Sequence, residues 1–189
     1  MAKRLRVYLA LCRFYVWWWL LPFLSIRRDR RAPLLLFSTA FAALTVDQLT
    51  KLWVRTSLEP GKFWPEHGIL RLTNSTNQGI VFGIEAPLAF SIAMPVVLVA
   101  IALVAYFWYG PIGGRLVNVC LGLFIGGSLG NLIDRVRFGA VTDFADVRLW
   151  GNVHWFTFNV ADACIVVGII LFVLSIFGLP PRRDVKERK

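Results

Sequence analysis

The sequence has few residues of the kinds that bind transition metals or form disulfides. It contains only three cysteines and two histidines among 189 residues. Cys12, Cys120 and Cys164 lie far apart within apolar runs, and there is no Cys-x-x-Cys pattern. This spacing excludes the common zinc clusters and disulfide frameworks. We expect the thiols to act as small buried apolar groups, and we expect no metal and no cofactor.

Acidic residues are also scarce, and the basic residues that outnumber them are unevenly distributed. The chain has 21 Lys and Arg against 11 Asp and Glu, a net charge of +10. Eight of the basic residues lie within residues 1–31 and five within residues 182–189. A nucleic-acid surface would instead place them throughout the folded body. The distribution indicates basic ends on the cytoplasmic side of a membrane, and we expect no nucleic-acid partner.

Apolar residues, by contrast, are abundant. They make up 57% of the chain, more than the roughly 45–50% of soluble domains. A membrane core of about 30 Å needs about 20 apolar residues in a helix. Four runs approach or exceed this length: Leu34–Val54, Leu88–Tyr109, Leu116–Ile133 and Thr157–Phe177. The third run is rich in glycine, which predicts closely packed helices.

The segments between these runs carry patterns of their own. With both basic ends cytoplasmic, segments 55–87 and 134–156 face outward, and Ile69–Thr73 and Ala140–Val147 alternate as strands do. We therefore predict an all-α polytopic membrane protein, with a four-transmembrane-helix bundle and a small β-containing periplasmic cap within residues 33–178. Residues 179–189 form a basic cytoplasmic tail.

Residues 1–32 form a basic and aromatic extension before the bundle. Their apolar run, residues 7–26, is interrupted by Arg13. If this run crossed the membrane, the basic residues before it would lie outside, against the charge rule. An N-terminal amphipathic helix lying in the interface is therefore favoured over a fifth span.

Five acidic side chains lie within or beside the apolar runs, where ionisable groups are expensive and usually functional. They are Asp47, Asp134, Asp143, Asp146 and Asp162. Two carboxylates that lie close together share a proton, so that one can act as a base toward water while the other polarises a carbonyl. The residue pattern alone does not decide which pair would do so. Neither His67 nor His154 lies near a marked nucleophile.

Five short motifs occur in order between Leu34 and Phe177. They are DQLTK (residues 47–51), NQGIVF (77–82), GGSLGNLIDR (126–135), VTDF (141–144) and FNVAD (158–162). Together they resemble lipoprotein signal peptidase (signal peptidase II), a family of bacterial membrane aspartyl peptidases. The resemblance implies that Asp143 and Asp162 are the catalytic dyad. It also implies that Asn77, Asn131, Arg135 and Asn159 lie around the substrate.

The resemblance further implies a substrate and a location. The substrates are diacylglyceryl-modified prolipoproteins, which are cleaved N-terminal to the lipidated cysteine in the bacterial inner membrane, among membrane lipids. Globomycin-type inhibitors are expected to bind. The chain departs from the family at Ile80 and Val81, where small residues are usual, and residues 1–32 have no counterpart in the compact family pattern.

Several of these residues also have simpler structural interpretations. Asp47 and Lys51 are one helical turn apart, which favours an i,i+4 ion pair that supports the structure. Asp134 and Arg135 are equally consistent with an ion pair at a helix end that supports the site. Two further candidates also have simpler interpretations, which are a helix N-cap for Asn159 and a surface charge for Asp146.

Two other functions remain as alternatives. One is a small proton-coupled membrane transporter, in which intramembrane acids bind and release protons. The other is a non-catalytic membrane scaffold. No inverted repeat, a frequent feature of transporters, is visible in the sequence.

Overall fold

The computed structural model describes residues 31–79, 86–109, 114–150 and 153–177. The interfacial helix predicted for residues 1–32 lies outside these ranges except for its last two positions. The tail at residues 179–189 and the departures at Ile80 and Val81 lie outside them entirely.

Four apolar helices occupy the positions predicted from the sequence. They are α1 (Ala32–Ser57), α2 (Leu88–Tyr109), α3 (Arg115–Phe138) and α4 (Val160–Phe177). By length and composition, α1, α2 and α3 qualify as candidate membrane spans, and α4 is a shorter apolar helix. The largest difference from the predicted runs is at the end of α3, which continues five residues beyond Ile133.

Helix α3 lies at the centre of the bundle and packs against the other three helices. Its glycines permit this on two faces. A Cβ at Gly122 would lie 2.6 Å from the Leu36 carbonyl oxygen of α1, and a Cβ at Gly127 would lie 2.5 Å from the Ala161 carbonyl oxygen of α4. The close approach predicted from the glycine-rich run is confirmed, because any larger side chain would separate the helices.

The outer surfaces of the helices are strongly apolar. Phe41 of α1, Phe107 of α2 and Leu174 of α4 are 71%, 65% and 56% exposed. Exposed apolar surface of this extent is unfavourable in water and favourable in lipid. A membrane location follows from it.

A four-stranded antiparallel sheet forms the cap at one end of the bundle. Its strands are β1 (Phe63–Trp64), β2 (Leu70–Asn77), β3 (Val141–Trp150) and β4 (Val153–His154), in the order β1-β2-β3-β4. The two predicted strands therefore exist, as β2 and β3. Strand β3 follows α3 directly, through a left-handed Gly139 (φ 73°) whose N–H donates to the Arg135 carbonyl at 3.0 Å.

Asp146 of β3 is not a surface charge, and that interpretation was wrong. Its carboxylate is buried and accepts hydrogen bonds from Arg71 Nε at 2.9 Å and Arg71 Nη2 at 2.7 Å. The antiparallel register places Arg71 of β2 directly opposite Asp146. Cross-strand neighbours of opposite charge stabilise each other. The pair joins the two central strands of the cap.

Candidate active site

Asp143 points from strand β3 toward the helices and is 1% exposed. Its Oδ2 accepts a hydrogen bond from Asn77 Nδ2 at 2.8 Å, and its Oδ1 accepts one from Asn159 Nδ2 at 2.7 Å. Asn77 lies on β2, two residues beyond the position that pairs with Asp143. Both strands and the start of α4 thus fix the orientation of this carboxylate.

Asp162 lies in the first turn of α4 and is partly exposed. Its Oδ1 accepts a hydrogen bond from Asn131 Nδ2 at 2.8 Å, and its Oδ2 accepts one from the Asn159 backbone N–H at 3.2 Å. A carboxylate near a helix N-terminus is stabilised by the helix dipole. The greater exposure of Asp162 leaves it accessible to water.

The start of α4 is attached to the cap by a short β-bridge. Phe158 N–H donates to the Ala145 carbonyl at 3.0 Å, and Ala145 N–H donates to the Phe158 carbonyl at 2.8 Å. Because Asn159 follows immediately, its side chain lies between β3 and α4. The bridge explains how two aspartates from different elements come to share one neighbour.

Asn159 caps helix α4 and also contacts Asp143. Its Oδ1 accepts the Asp162 backbone N–H at 2.9 Å, which is an N-cap contact, while its Nδ2 donates to Asp143. The residue therefore contacts both aspartates at once. The N-cap prediction is confirmed, and the contact with Asp143 accompanies it.

Electrostatics distinguish Asp143 from an ordinary surface carboxyl. Burial raises its pKa to about 6, and the neighbouring charge of Asp162 adds to the rise, while hydrogen bonds from Asn77 and Asn159 lower it. A carboxylic acid with a pKa near 6 is partly protonated at neutral pH. The site can therefore hold one proton between two acids.

Asp134 and Arg135 do not pair with each other, so that interpretation was wrong. Adjacent residues on a helix point in directions about 100° apart. Arg135 Nη2 instead donates to the Gly79 carbonyl at 3.1 Å, and its charge acts on both aspartates of the site. Asp134 accepts the Thr142 backbone N–H at 3.0 Å. Asp134 therefore supports β3, and Arg135 faces the site.

Asp47 and Lys51 form the predicted i,i+4 ion pair, with 2.9 Å between Oδ2 and Nζ and no exposed side-chain surface. Lys51 Nζ also lies 3.4 Å from Asp134 Oδ2. The pair and Asp134 therefore belong to a largely buried cluster beside the two site aspartates, which we call the charge cluster. Its other members are Gln48, which donates to Asp134 at 3.3 Å, and Arg55, which donates to Thr142 Oγ1 at 2.9 Å.

Sequence reasoning missed Gln48, Arg55 and Thr142. Gln48 and Thr142 lie inside the recognised motifs, next to Asp47 and Asp143, so the motif boundaries contained a signal for them. Arg55 lies one helical turn after Lys51 on the same face of α1, and this spacing was its only signal. Within the described part of the chain, no group of three or more His, Cys, Asp or Glu is placed to hold a metal ion.

Residues 39–178 match the family model for signal peptidase (SPase) II. The chain belongs to the signal peptidase II family. It is 41% identical over 133 residues to the lipoprotein signal peptidase of Moorella thermoacetica, which covers 70% of this chain and 85% of that relative. The lipoprotein signal peptidase of Sphingopyxis alaskensis is 38% identical over 150 residues, with 76% and 86% covered.

Solved structures agree with this membership of the signal peptidase II family. A bacterial membrane enzyme determined by the in meso method at 2.3 Å resolution superposes with a TM-score of 0.69 at 29% identity, over 82% of this chain and 94% of that one. A second such structure, at 1.9 Å, gives a TM-score of 0.66 at 28% identity over 77% and 94%. The family consists of peptidases that act on lipoprotein precursors.

Proposed function

We propose that this chain removes signal peptides from diacylglyceryl-modified prolipoproteins, cleaving N-terminal to the lipidated cysteine, and that Asp143 and Asp162 activate the water. The observation that carries the proposal is the contact of Asn159 with both carboxylates. Membership of the signal peptidase II family supports the substrate class. The raised pKa of Asp143 supports the aspartyl chemistry.

The two aspartates have different roles in this mechanism. Asp162, partly exposed and held by Asn131, takes a proton from water, and the resulting hydroxide attacks the scissile carbonyl carbon. Asp143, protonated and buried, donates its proton to the carbonyl oxygen. When the resulting gem-diol collapses, the C–N bond breaks and the leaving nitrogen takes the proton held by Asp162. One gem-diol hydroxyl returns its proton to Asp143 as the C=O bond re-forms, so the dyad again holds a single proton, as at the start.

The surrounding polar residues support this chemistry. Asn77 and Asn159 hold Asp143, and Asn131 holds Asp162, while Asp134 anchors the start of β3. Arg135 adds positive charge beside the dyad and compensates for the negative charge of the ionised carboxylate. Positive charge near a developing oxyanion lowers the barrier to acyl transfer.

The site lies where a lipid-linked substrate can reach it. In this proposal four helices cross the bacterial inner membrane, both termini are cytoplasmic, residues 1–32 lie in the inner interface and the cap is periplasmic. Helix α4 has 18 residues, so it is about 27 Å long at 1.5 Å per residue. This length is close to the membrane core of about 30 Å. Withdrawing the substrate's acyl chains into water would cost about 0.8 kcal/mol per CH₂. A peptidase within the membrane avoids this cost.

Cleavage by the purified protein tests the proposal. We expect wild-type protein in detergent to cleave a diacylglyceryl prolipoprotein, to leave the unmodified precursor uncleaved and to be inhibited by globomycin. Asp143→Asn and Asp162→Asn should each abolish cleavage while the protein still folds. The control is Glu59→Gln, because Glu59 is exposed and its ion pair is with the equally exposed Lys62, three residues later. Full activity in either aspartate variant would contradict the proposed dyad.

The same assay separates the alternatives. A transporter or a scaffold would leave the lipidated precursor intact under every lipid condition tried.

Topology is tested separately, in a parent protein whose native cysteines have been replaced. Glu66→Cys should react with an impermeant maleimide in intact spheroplasts, whereas Lys186→Cys should react only after permeabilisation. The reverse pattern would contradict the proposed orientation.

A further inference from the structure

Lys51 occupies the centre of the charge cluster and has no exposed surface. An ammonium group has three N–H donors and no acceptor. Three acceptors surround Lys51 Nζ, which are Asp47 Oδ2 at 2.9 Å, Asn131 Oδ1 at 2.9 Å and Asp134 Oδ2 at 3.4 Å. Two of these contacts form ion pairs within the bundle. The contact with Asn131 is directed toward the aspartate site.

The contact with Asn131 determines which way its side-chain amide points. The amide oxygen accepts from Lys51 Nζ and also from Asn159 Nδ2 at 3.1 Å. With the oxygen held by two donors, the amide nitrogen points to Asp162 Oδ1 at 2.8 Å. The opposite orientation would place an N–H₂ group against the ammonium and turn the amide oxygen toward a carboxylate. Both contacts would then be repulsive.

We infer that Lys51 is a positioning residue for catalysis, which acts on Asp162 through the amide of Asn131. This inference rests on the proposed function and adds a residue on α1 to its machinery. The positive charge polarises the amide, so the N–H that Asn131 donates to Asp162 is a stronger donor than an isolated amide would provide. Asp162 is thereby held in place for the attacking water.

A purely structural role and a positioning role for Lys51 predict different effects of its loss on turnover. If Lys51 only neutralises Asp47 and Asp134, its loss lowers stability and its effect on turnover is independent of Asn131. If Lys51 acts through Asn131, its loss has little further effect on turnover once Asn131 is gone. Double-mutant cycles separate these cases, because independent sites combine additively in free energy and coupled ones do not.

The experiment measures kcat, KM and Tm for wild type, Lys51→Met, Asn131→Ala and the double variant, in detergent with a lipidated precursor. We expect Lys51→Met to lower kcat about 10- to 100-fold, with KM unchanged. The range is that seen when a metal-binding side chain loses the hydrogen-bond partner that orients it. In the Asn131→Ala background we expect the same change to lower kcat by no more than about twofold. The loss in Tm should remain in both backgrounds.

The matched control is Arg55→Gln. Arg55 contacts the same Asp134, at 3.4 Å, but its other contacts are with Thr142 and the ring of Phe138 and not with Asn131. Its effects on kcat should therefore multiply with those of Asn131→Ala. If Lys51→Met also multiplies with Asn131→Ala, Lys51 is purely structural and the inference is wrong.

Lys51→Met leaves the buried Asp47 without its cation and leaves Asp134 with Arg55 alone, so the variant can fail to fold. The cycle is then repeated with Asp47→Asn/Lys51→Met in place of Lys51→Met. In that variant an amide oxygen at position 47 can still accept the Ala161 N–H, while the ammonium is absent. Absence of cleavage by wild-type protein would overturn the proposed function. Wild-type cleavage with multiplying effects would overturn only the role of Lys51.

Discussion

Asp47 of α1 accepts a hydrogen bond from the backbone N–H of Ala161 at the start of α4, with 2.9 Å between Oδ1 and N. The first N–H groups of a helix have no partner within the helix. Here a side chain from a helix 114 residues earlier supplies one. Asp162 is the next residue along α4, so the position of one site aspartate depends directly on α1.

Removal of Asp47 should therefore loosen the whole site. Asp47→Ala leaves Lys51 with one carboxylate fewer and the Ala161 N–H without an acceptor, and breaking a buried pair costs about 3–5 kcal/mol. We expect a large fall in Tm, measured by thermal unfolding in detergent. The control Glu59→Ala removes an exposed pair with Lys62, which is worth about 0–1 kcal/mol. Similar Tm values for the two variants would contradict the anchoring role.

Asn159 allows its capping and site-holding contacts to be separated. Asn159→Ala loses both, so we expect lower stability by about 1 kcal/mol and a fall in kcat of about 100-fold or more. Serine can still accept the N–H of Asp162, yet its hydroxyl is too short to reach Asp143. Asn159→Ser should restore Tm without restoring cleavage. Recovery of both together would show that Asn159 acts only as a cap.

The buried carboxyl of Asp143 makes stability depend on pH. Its pKa is raised from 3.8 to about 6. Its contribution to stability is therefore fully present below about pH 4 and is lost as the pH rises through 6. At 1.36 kcal/mol per pH unit the full difference is about 3 kcal/mol.

The pH dependence is measured as the difference between two proteins. Between pH 5 and pH 7, the Tm of wild type should fall relative to that of Asp143→Asn, which has no carboxyl to ionise there. Glu59→Gln should follow wild type. Parallel Tm curves for wild type and Asp143→Asn would show that Asp143 is not protonated near neutral pH.

The contact between α1 and α3 depends on Gly122. A Cβ there would lie 2.6 Å from the Leu36 carbonyl oxygen and 2.7 Å from Thr39 Cβ. Overpacking of this kind costs about 1–3 kcal/mol, so Gly122→Ala should lower Tm and also reduce cleavage, since α1 carries the charge cluster. Gly114→Ala is the matched control, because nothing lies within 4 Å of its Cβ. Equal Tm values would contradict the close contact.

Local sequence patterns were sufficient for most of the fold. Apolar runs located all four helices, and alternation located β2 and β3, because both patterns record which side of an element is buried. Helix α3 ends five residues beyond the end of the apolar run that predicts it. Asp134 and Arg135 interrupt the apolar run, yet the helix continues because both side chains are buried against other parts of the protein.

The site was predicted less completely than the fold. The aspartates and asparagines brought together by the structure all lie in the five motifs, and the resemblance selected them. Which residues meet across long separations cannot be read from local patterns. Arg71 and Asp146 are 75 residues apart and meet only because β2 pairs with β3 in one register. Arg55 joins the charge cluster across 79 residues.

The Asp47–Lys51 pair also has a consequence for how the chain enters the membrane. Helix α1 is synthesised before α3, so Asp134 and Asn131 do not yet exist when α1 is inserted. Single charges near the centre of an inserting helix cost about 2.5–3.5 kcal/mol each. Because Asp47 and Lys51 have opposite charges and lie one turn apart, α1 inserts with a counter-ion for each of them. Its remaining charge, Arg55, lies in the last turn, at the end of the helix.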